Sequence, residues 1–345
     1  MTELRPASIE EAQQLLQDAR GSVAFAGGGT ELTALPAVDT VLHTAGLKRI
    51  IEYAPSDQVI TVEAGVTLQA LQNECAKHGQ RLALDVPSAD RATLGGIVAA
   101  NSFGPLRTRF GSVRDLIIGV SILRADGTRA KGGGKVVKTV AGFDLPKLMC
   151  GSRGTLGLIA TVTFRVHPLP EHTVHLAAPG LTAEGVVELV RKLRALQLEP
   201  AAVVATRSAG PPAAGSRWEV ALRFEGFRAG VVQQREKLRE LADAPESLWS
   251  DHLAARGRVR FGALPTQLPR IDAAFGGPLS WYPTLGLGFA AEAGNARAAL
   301  AALGGWLVEG GDFGPPPAAL PLHRALKARL DPAGRLAPGT FIGGI

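Results

Sequence analysis

The first half of the chain switches between helical and strand-like patterns of apolar residues. Apolar residues recur with helical spacing after Ser8, which forms a capping box with Glu11. Residues 22–26 form a short apolar strand that runs into a glycine-rich turn. Prolines at positions 168 and 170 mark the end of this mixed region. The other predicted elements are strands at 41–43, 59–65, 116–123 and 158–166 and a helix at 67–78.

The second half begins another run of alternating elements. We predict strands that start at 175, 201, 218 and 285 and helices at 182–196, 230–241 and 295–303, the last capped by Asn295. Strand–helix–strand–strand–helix–strand is the order of a ferredoxin-like α+β layer. Residues 315–317 are three prolines, which predict a stiff linker before a short basic helix that starts at Leu320.

The composition indicates a folded protein and disfavours a protein that binds nucleic acid. Hydrophobic residues make up 46% and charged residues 20% of the 345 positions, so a packed core is expected. Aromatic residues are only 5%, and the net charge of +6 is scattered, which disfavours a nucleic-acid surface. No uncharged apolar run approaches the roughly 20 residues of a membrane span, and no signal core is recognised at the start. We therefore expect a cytoplasmic protein.

The two cysteines, Cys75 and Cys150, limit the redox chemistry of this chain. An iron–sulfur cluster held by four cysteine ligands cannot be bound by two thiols. Cys75 falls on the apolar face of a predicted helix and is expected to be a buried core residue. No disulfide framework is implied, which fits a reducing compartment.

Glycines among small apolar residues give the strongest chemical signal, at 27–29 and between 87 and 159. Glycine lets the backbone adopt positive φ and approach a ligand closely, and consecutive N–H groups suit a phosphorylated ligand. A dinucleotide motif G-x-G-x-x-G would need glycine at Leu32, and a P-loop ending at Lys135 would need glycine at Arg129. These mismatches disfavour a nicotinamide Rossmann domain and a nucleoside triphosphatase.

Several of these segments, in this order, are similar to one family. The chain resembles the FAD-binding domain of the vanillyl-alcohol oxidase family, also called the PCMH type, and within it the FAD-binding subunits of bacterial glycolate oxidases. The resemblance is strong over residues 1–170 and weak beyond, where residues 223–226 and Lys327 with Asp331 and Pro332 carry it. The segments that carry it in the first half are 27–30, 93–96, 104–111, 135–145 and 151–159.

This resemblance implies an α+β fold and a set of cofactor residues. It implies a PCMH-type FAD-binding domain at 1–170, a smaller ferredoxin-like cap domain at 171–314, and a tail at 315–345 that packs back on the FAD domain. The glycine turn would cradle the FAD pyrophosphate. Arg107 is equally compatible with surface ion pairing. The implied cofactor-binding residues are Gly27, Gly28, Gly29, Thr30, Glu31, Asp85, Val86, Pro87, Ser88, Thr93, Gly95, Gly96, Ala99, Asn101, Arg107, Arg153, Gly154 and Ile159.

The histidines depart from what some members of this family contain. Some relatives attach flavin covalently through a histidine near the glycine turn, but residues 26–31 contain none, so we predict non-covalent FAD. Stand-alone 2-hydroxy-acid dehydrogenases of the family carry a His-x-Gly-x-Gly-Asn cluster in the second half, which is missing here. No metal site and no catalytic base is therefore assigned. The histidines are His43, His78, His167, His172, His175, His252 and His323.

The resemblance leaves three functional hypotheses. In the first, the chain is the non-covalent FAD subunit of a multi-subunit glycolate or 2-hydroxy-acid oxidase. A paralogous flavoprotein would then oxidise the substrate, and an iron–sulfur subunit would carry electrons toward the inner face of the membrane. In the second, the chain alone is a small FAD-dependent 2-hydroxy-acid dehydrogenase. In the third, it is an assembly subunit with a vestigial flavin site. The first two predict an oxidoreductase that acts on CH–OH groups.

Overall fold

The structure is a computed structural model that describes residues 1–31, 36–134, 143–208 and 217–345. Of the family-like segment 135–145, residues 135–142 lie outside the described residues. The chain divides into two units. Unit 1 comprises Met1–Phe103, Gly111–Leu169 and Pro315–Ile345, and unit 2 comprises Gly104–Phe110 and Pro170–Gly314. The roles of these units as FAD-binding part and cap stay a prediction.

The first helix of unit 1, α1, is capped by Ser8 as predicted, but the reciprocal bond of the predicted capping box involves Ala7 and not Ser8. The Glu11 N–H donates to Ser8 Oγ at 3.1 Å, and the Glu11 carboxylate accepts from the N–H of Ala7 at 2.8 Å. With labels in chain order, the helices of unit 1 are α1 (Ile9–Asp18), α2 (Leu68–Ala76), α3 (Leu94–Ala100), α5 (Val113–Leu116), α6 (Leu145–Met149) and α12 (Leu320–Leu330). Its strands are β1 (Thr2–Leu4), β2 (Val23–Ala26), β3 (Thr40–His43), β4 (Ile50–Ala54), β5 (Val59–Glu63), β6 (Gln80–Arg81), β7 (Ile117–Leu123), β8 (Arg129–Gly133), β9 (Leu158–Arg165) and β10 (His167–Pro168).

In the described part of unit 1, the strands form two main sheets. An antiparallel sheet has the order β4-β5-β9-β7-β8, and a parallel sheet has the order β1-β3-β2. The turn at Gly127, with φ of 77°, joins β7 to β8, and Asp126-Gly127 is a sequence typical of hairpin turns. Cys75 is fully buried in the hydrophobic core of unit 1, in agreement with the sequence prediction. Leu336 of the tail forms a parallel bridge to Val23 and so extends the edge of β2.

Unit 2 contains one antiparallel sheet with helices on the face that carries its core. Among its described residues the strand order is β14-β11-β13-β12-β16-β17-β15-β18. The strands are β11 (His172–Leu181), β12 (Ala202–Arg207), β13 (Trp218–Gly226), β14 (Ala242–Asp243), β15 (Val259–Gly262), β16 (Leu279–Tyr282), β17 (Leu287–Ala290) and β18 (Trp306–Val308). The helices are α4 (Arg107–Phe110), α7 (Ala183–Ala195), α8 (Arg228–Glu236), α9 (Ser247–Ala255), α10 (Leu268–Asp272) and α11 (Ala296–Ala302).

The ferredoxin-like order occurs twice in this sheet. The elements β11-α7-β12-β13-α8-β14 form the first copy and β15-α10-β16-β17-α11-β18 form the second. The two copies meet where Ala205 of β12 pairs with Trp281 of β16. The sequence therefore predicted the layer but not its repetition. The strand predicted at 285–290 as the fourth of one layer is β17 of the second copy, and Asn295 precedes α11 without a side-chain cap hydrogen bond.

One hydrophobic cluster unites the two copies. Val186 of α7, Val231 of α8, Ile271 of α10 and Leu300 of α11 all belong to it, together with the buried Trp281. These four helices therefore cover the same face of the sheet. Helix α9 lies on the other face, where Trp249 Nε1 donates to Nδ1 of His175 at 2.8 Å. His175, where the sequence predicts the start of a strand, is half-buried on β11 because α9 covers it.

Candidate cofactor site

A cavity in unit 1 brings together the end of β2, helix α3 and the loop before β9. It has about 750 Å³ of empty volume, including the part open to solvent. Seven of its described lining residues are glycines, so much of its wall is main chain. The lining residues are Phe25, Gly27, Gly28, Gly29, Thr30, Glu31, Thr44, Ala64, Thr93, Gly95, Gly96, Ala99, Ala100, Arg153, Gly154, Gly157, Leu158 and Ile159.

The glycine turn after β2 is packed so closely that two of its positions exclude a side chain. A Cβ atom at Gly28 would lie 1.7 Å from the carbonyl oxygen of Arg91, and one at Gly27 would lie 2.2 Å from Thr93 Oγ1. Gly29 adopts a φ of 71°, in the left-handed region that favours glycine. The sequence signal of consecutive glycines therefore has a direct steric cause.

Helix α3 forms the opposite wall, and Thr93 connects it to the glycine turn. Thr93 is the N-cap residue of α3, and its Oγ1 accepts from the N–H groups of Gly96 and of Gly28, each at 3.4 Å. The N–H of Gly95 donates to the carbonyl of Ala64 at 2.8 Å, and a Cβ at Gly95 would lie 2.6 Å from Ala64 Cβ. The start of α3 is thus seated on the segment that follows β5.

The loop before β9 closes the cavity near the other end of α3. The N–H of Gly151 donates to the carbonyl of Val98, and the N–H of Arg153 donates to that of Ala99, both at 2.9 Å. Arg153 adopts a φ of 51°, which is uncommon for a residue with a side chain. Burial lowers the pKa of its guanidinium, and the charge of Glu31 opposes that shift. A cation therefore stands in the wall beside the exposed main chain.

Most of the predicted cofactor residues line this cavity, and six lie elsewhere. Val86 is buried in the hydrophobic core of unit 1, while Ser88 is exposed with a φ of 53°. Asn101 caps the end of α3, next to the lining residue Ala100, and its buried Oδ1 has no hydrogen-bond partner in the described structure. The predicted residues outside the lining are Asp85, Val86, Pro87, Ser88, Asn101 and Arg107, of which Arg107 lies on α4 in unit 2.

Six residues that line the cavity were not predicted from the sequence. Phe25 lies on β2 and Thr44 directly follows β3, and Thr44 Oγ1 donates to the carbonyl of Ala26 at 3.3 Å. Gly157 has a φ of 153° and was part of the glycine-rich segment, so its position could have indicated it. The others carry small apolar side chains that the sequence alone does not distinguish from core. The missed residues are Phe25, Thr44, Ala64, Ala100, Gly157 and Leu158.

The histidine nearest to the glycine turn does not belong to the described lining. His43 pairs with Ala26 across the parallel sheet, and its Nε2 lies 3.6 Å from a carboxylate oxygen of Glu3. Within the described ranges, no group of three or more His, Cys, Asp or Glu residues is arranged to hold a metal ion. In the same ranges, no helix has the length and apolar character needed to cross a bilayer.

The chemistry of the wall and the comparison with known families identify the cofactor. Residues 3–133 match the family described as an FAD binding domain. This part of the chain is similar to FAD-binding domains, and the expected cofactor, FAD, is confirmed. The protein is accordingly an FAD-dependent oxidoreductase, as the sequence predicted.

Curated relatives of this chain include a glycolate oxidase subunit and two dehydrogenases of 2-hydroxy acids. The chain is 28% identical to glycolate oxidase subunit GlcE of Escherichia coli (strain K12) over 96% of both chains. It is 30% identical to the D-lactate dehydrogenase of Archaeoglobus fulgidus, but spans only 57% of that protein. It is 29% identical to a D-2-hydroxyglutarate dehydrogenase of Xanthomonas citri, of which it spans 39%. The predicted similarity to bacterial glycolate oxidase subunits is confirmed.

Solved structures confirm the fold class. Two structures of alkyldihydroxyacetonephosphate synthase superpose on 97% of this chain and 76% of theirs, with TM-scores of 0.73 and 0.74. The sequence identities are 17% and 16%, so this likeness concerns the fold alone. The α+β prediction, with a PCMH-type FAD-binding domain and a ferredoxin-like layer, agrees with it.

The residues of the cavity fit FAD. Main-chain N–H groups of the glycine turn and the guanidinium of Arg153 suit a diphosphate. A side chain at Gly29 would meet no protein atom within 4 Å, so glycine leaves open space at the wall. Phe25, Leu158 and Ile159 add an apolar surface suited to a flat ring system. Which of the lining residues contact FAD stays a prediction.

Proposed function

We propose that this chain is the FAD-binding subunit of a multi-subunit oxidase or dehydrogenase for glycolate or a related 2-hydroxy acid. The observation that carries the proposal is similarity over 96% of both chains to a glycolate oxidase subunit, combined with a cavity whose main-chain wall fits FAD. The similar D-lactate dehydrogenase is longer, since this chain spans 57% of it. That difference in length favours an activity that this chain performs together with partner subunits over an activity that it performs alone.

The chain's own residues act by binding and orienting the cofactor. When bound, FAD supplies an acceptor for the two electrons that leave a CH–OH carbon during oxidation of glycolate to glyoxylate. The glycine turn and Arg153 would hold the diphosphate, and Thr93 fixes the turn against α3. His43 is outside the lining and near Glu3, which supports the proposal that FAD is held without a covalent bond.

Partner subunits complete the proposed reaction. This chain has two cysteines, so the iron–sulfur cluster that receives the electrons would belong to another subunit. A paralogous flavoprotein would contain the base that takes the hydroxyl proton of the substrate. The complex would work in the cytoplasm and would reach the inner face of the membrane through those partners.

The test is an absorption spectrum of the purified chain, recorded anaerobically with and without glycolate. We expect flavin absorbance that glycolate hardly bleaches in the isolated chain, and that it bleaches when the chain is purified together with its partners. Rapid turnover by the isolated chain would instead make it a self-sufficient dehydrogenase. Acid precipitation should release the yellow colour into the supernatant, whereas a coloured pellet would contradict non-covalent binding.

An assembly role without flavin chemistry predicts a different result. Gly95→Trp would place a large side chain against Ala64, because even a Cβ there lies 2.6 Å from Ala64 Cβ. The proposed function requires this variant to lose both FAD and the activity of the complex. If the complex forms and keeps full activity without this flavin, the flavin site is vestigial.

A further inference from the structure

Lys327 of α12 forms a set of contacts that the cofactor site does not explain by itself. Its Nζ donates to the carbonyl oxygens of Thr155 at 2.8 Å and Leu336 at 2.6 Å, and lies 2.8 Å from Asp331 Oδ2. An ammonium group has three N–H donors, so these partners satisfy all of them. The side chain is 13% exposed, and Asp331 is 1% exposed. A buried, satisfied ion pair thus stands between two other segments of unit 1.

One carbonyl partner lies in the loop that lines the FAD cavity, and the other lies in the tail, which pairs with a strand that leads to the cavity. Thr155 follows the lining residue Gly154 and is fully buried in the loop that closes the cavity. Leu336 bridges to Val23, the first residue of β2, which leads into the glycine turn. Lys327 therefore links the loop that contains Thr155 to the tail segment that pairs with β2.

Asp331 holds the tail in the shape that this connection requires. Its carboxylate accepts from the N–H groups of Arg335 at 3.1 Å and Leu336 at 2.7 Å. The tail then pairs with β2: the Val23 N–H donates to the carbonyl of Arg335, and the Ala337 N–H donates to that of Val23, both at 2.8 Å. The side chain of Arg335 donates to the carbonyls of Ala19, Gly21 and Ala125.

We propose that Lys327, with Asp331, is a positioning residue for FAD: it holds the two walls of the cavity at their binding distance. Docking of the tail at residues 327–337 and binding of FAD are then thermodynamically coupled, so each strengthens the other. The proposal rests on FAD occupying this cavity and is independent of the substrate and partners proposed above.

The affinity of apoprotein for FAD tests this coupling. Lys327→Met keeps an apolar stem of similar length and removes the donors. If the walls are correctly spaced in only a tenth of the molecules, the dissociation constant rises about tenfold. Lys327→Arg should recover part of the affinity because it restores a cation with several donors. Lys237→Met is the matched control, since Lys237 is an exposed lysine of unit 2 that also donates to a carbonyl, that of Leu196, at 3.3 Å.

Lys327→Met leaves Asp331 buried without its cation, which could prevent folding. The double variant Lys327→Met/Asp331→Asn removes that charge, keeps an acceptor oxygen and should show the same loss of affinity. Hydrogen exchange across residues 320–340 provides the reciprocal measurement: FAD should slow exchange there in the wild-type chain and much less in the variant. An unchanged dissociation constant in a folded variant, or exchange in the tail that ignores FAD, would overturn the proposal.

Discussion

The FAD cavity of unit 1 and a cavity of unit 2 are built from different chemical groups. The FAD cavity of unit 1 has walls of glycine and main chain. The cavity of unit 2, with about 1250 Å³ of empty volume, lies between α9 and the sheet and is lined by side chains such as Thr206, Glu219, His252 and Phe289. The shape of a main-chain wall depends on the conformations that the backbone can adopt. The shape of a side-chain wall depends on which strands, distant in sequence, pair with one another. Substitutions in the two units should therefore fail in different ways.

The largest effect is expected where the backbone wall admits no side chain. Gly28→Val places a Cβ within 1.7 Å of the carbonyl oxygen of Arg91, so the turn must move. We expect complete loss of bound FAD, measured as flavin absorbance per mole of purified protein. Gly230→Ala is the control, since a Cβ at that position in α8 meets no atom within 4 Å. Normal FAD content in Gly28→Val would show that the turn does not form the site.

A buried arginine provides the corresponding test of unit 2. Arg207 is 4% exposed, and its guanidinium donates to the carboxylate of Asp272 and to the carbonyls of Asp272, Phe275 and Gly277. Breaking a buried ion pair costs about 3–5 kcal/mol, so Arg207→Met should lower the free energy of unfolding by that amount. Chemical denaturation measures it.

The exposed pair of Arg191 with Glu188 is the matched control for this prediction. Arg191→Met should cost at most about 1 kcal/mol, because water screens exposed ion pairs. Arg207→Met should leave the affinity for FAD nearly unchanged, since all described lining residues of the FAD cavity lie in unit 1. A loss of FAD as severe as that of Gly28→Val would remove the distinction between the two units.

Acid should weaken unit 2 through His252. Burial, and secondarily the charge of Arg256, lowers the pKa of His252 from 6.5 to about 4. The unfolded chain then binds the proton more tightly, so this contribution to stability is complete above pH 6.5 and is lost as the pH falls toward 4. The total loss is about 3 kcal/mol, from about 1.4 kcal/mol per pKa unit.

Unfolding free energies measured between pH 7 and pH 4 test this expectation. His252→Gln can still bond Tyr282 Oη, which lies 3.1 Å from His252 Nε2, and should flatten the pH dependence. His167→Gln should flatten the curve through unit 1, because burial lowers the pKa of His167 to about 4 as well. Equal slopes in His252→Gln and wild type would contradict the prediction.

The main-chain site could be found in the sequence because its residues are neighbours along the chain. Residues 27–29 and 93–96 are glycine-rich segments, of which the first follows a predicted strand, and both form walls of the cavity. Ala64 and Leu158 were not predicted, because an alanine or leucine in the wall of a cavity has the same sequence pattern as one in the hydrophobic core. Only the pairing of β5 with β9 brings them near the site.

The second ferredoxin-like copy was not predicted from the sequence for a different reason. Its strands β15, β16 and β18 are three or four residues long, and β16 is buried at every position, so no alternation marks it. Gly262 and Gly288 lie inside strands because the rings of Trp306 and Phe261 occupy the space of their side chains. Glycine in a strand weakens the sequence signal, although here it permits close packing of aromatic rings.

The smallest expected effect concerns Thr93, where side chain and main chain cooperate. Its hydroxyl accepts from Gly96 N–H as the cap of α3 and from Gly28 N–H in the glycine turn. Thr93→Val keeps the shape and removes the acceptor, which costs about 1 kcal/mol for a lost N-cap. If the turn loses order with the cap, the dissociation constant of FAD rises about fivefold for the same free energy. Thr93→Ser should bind like wild type because it keeps the hydroxyl. Weakening in both variants would mean that the methyl group, and not the hydroxyl, holds the turn, and the wall of unit 1 would then depend on side-chain packing as that of unit 2 does.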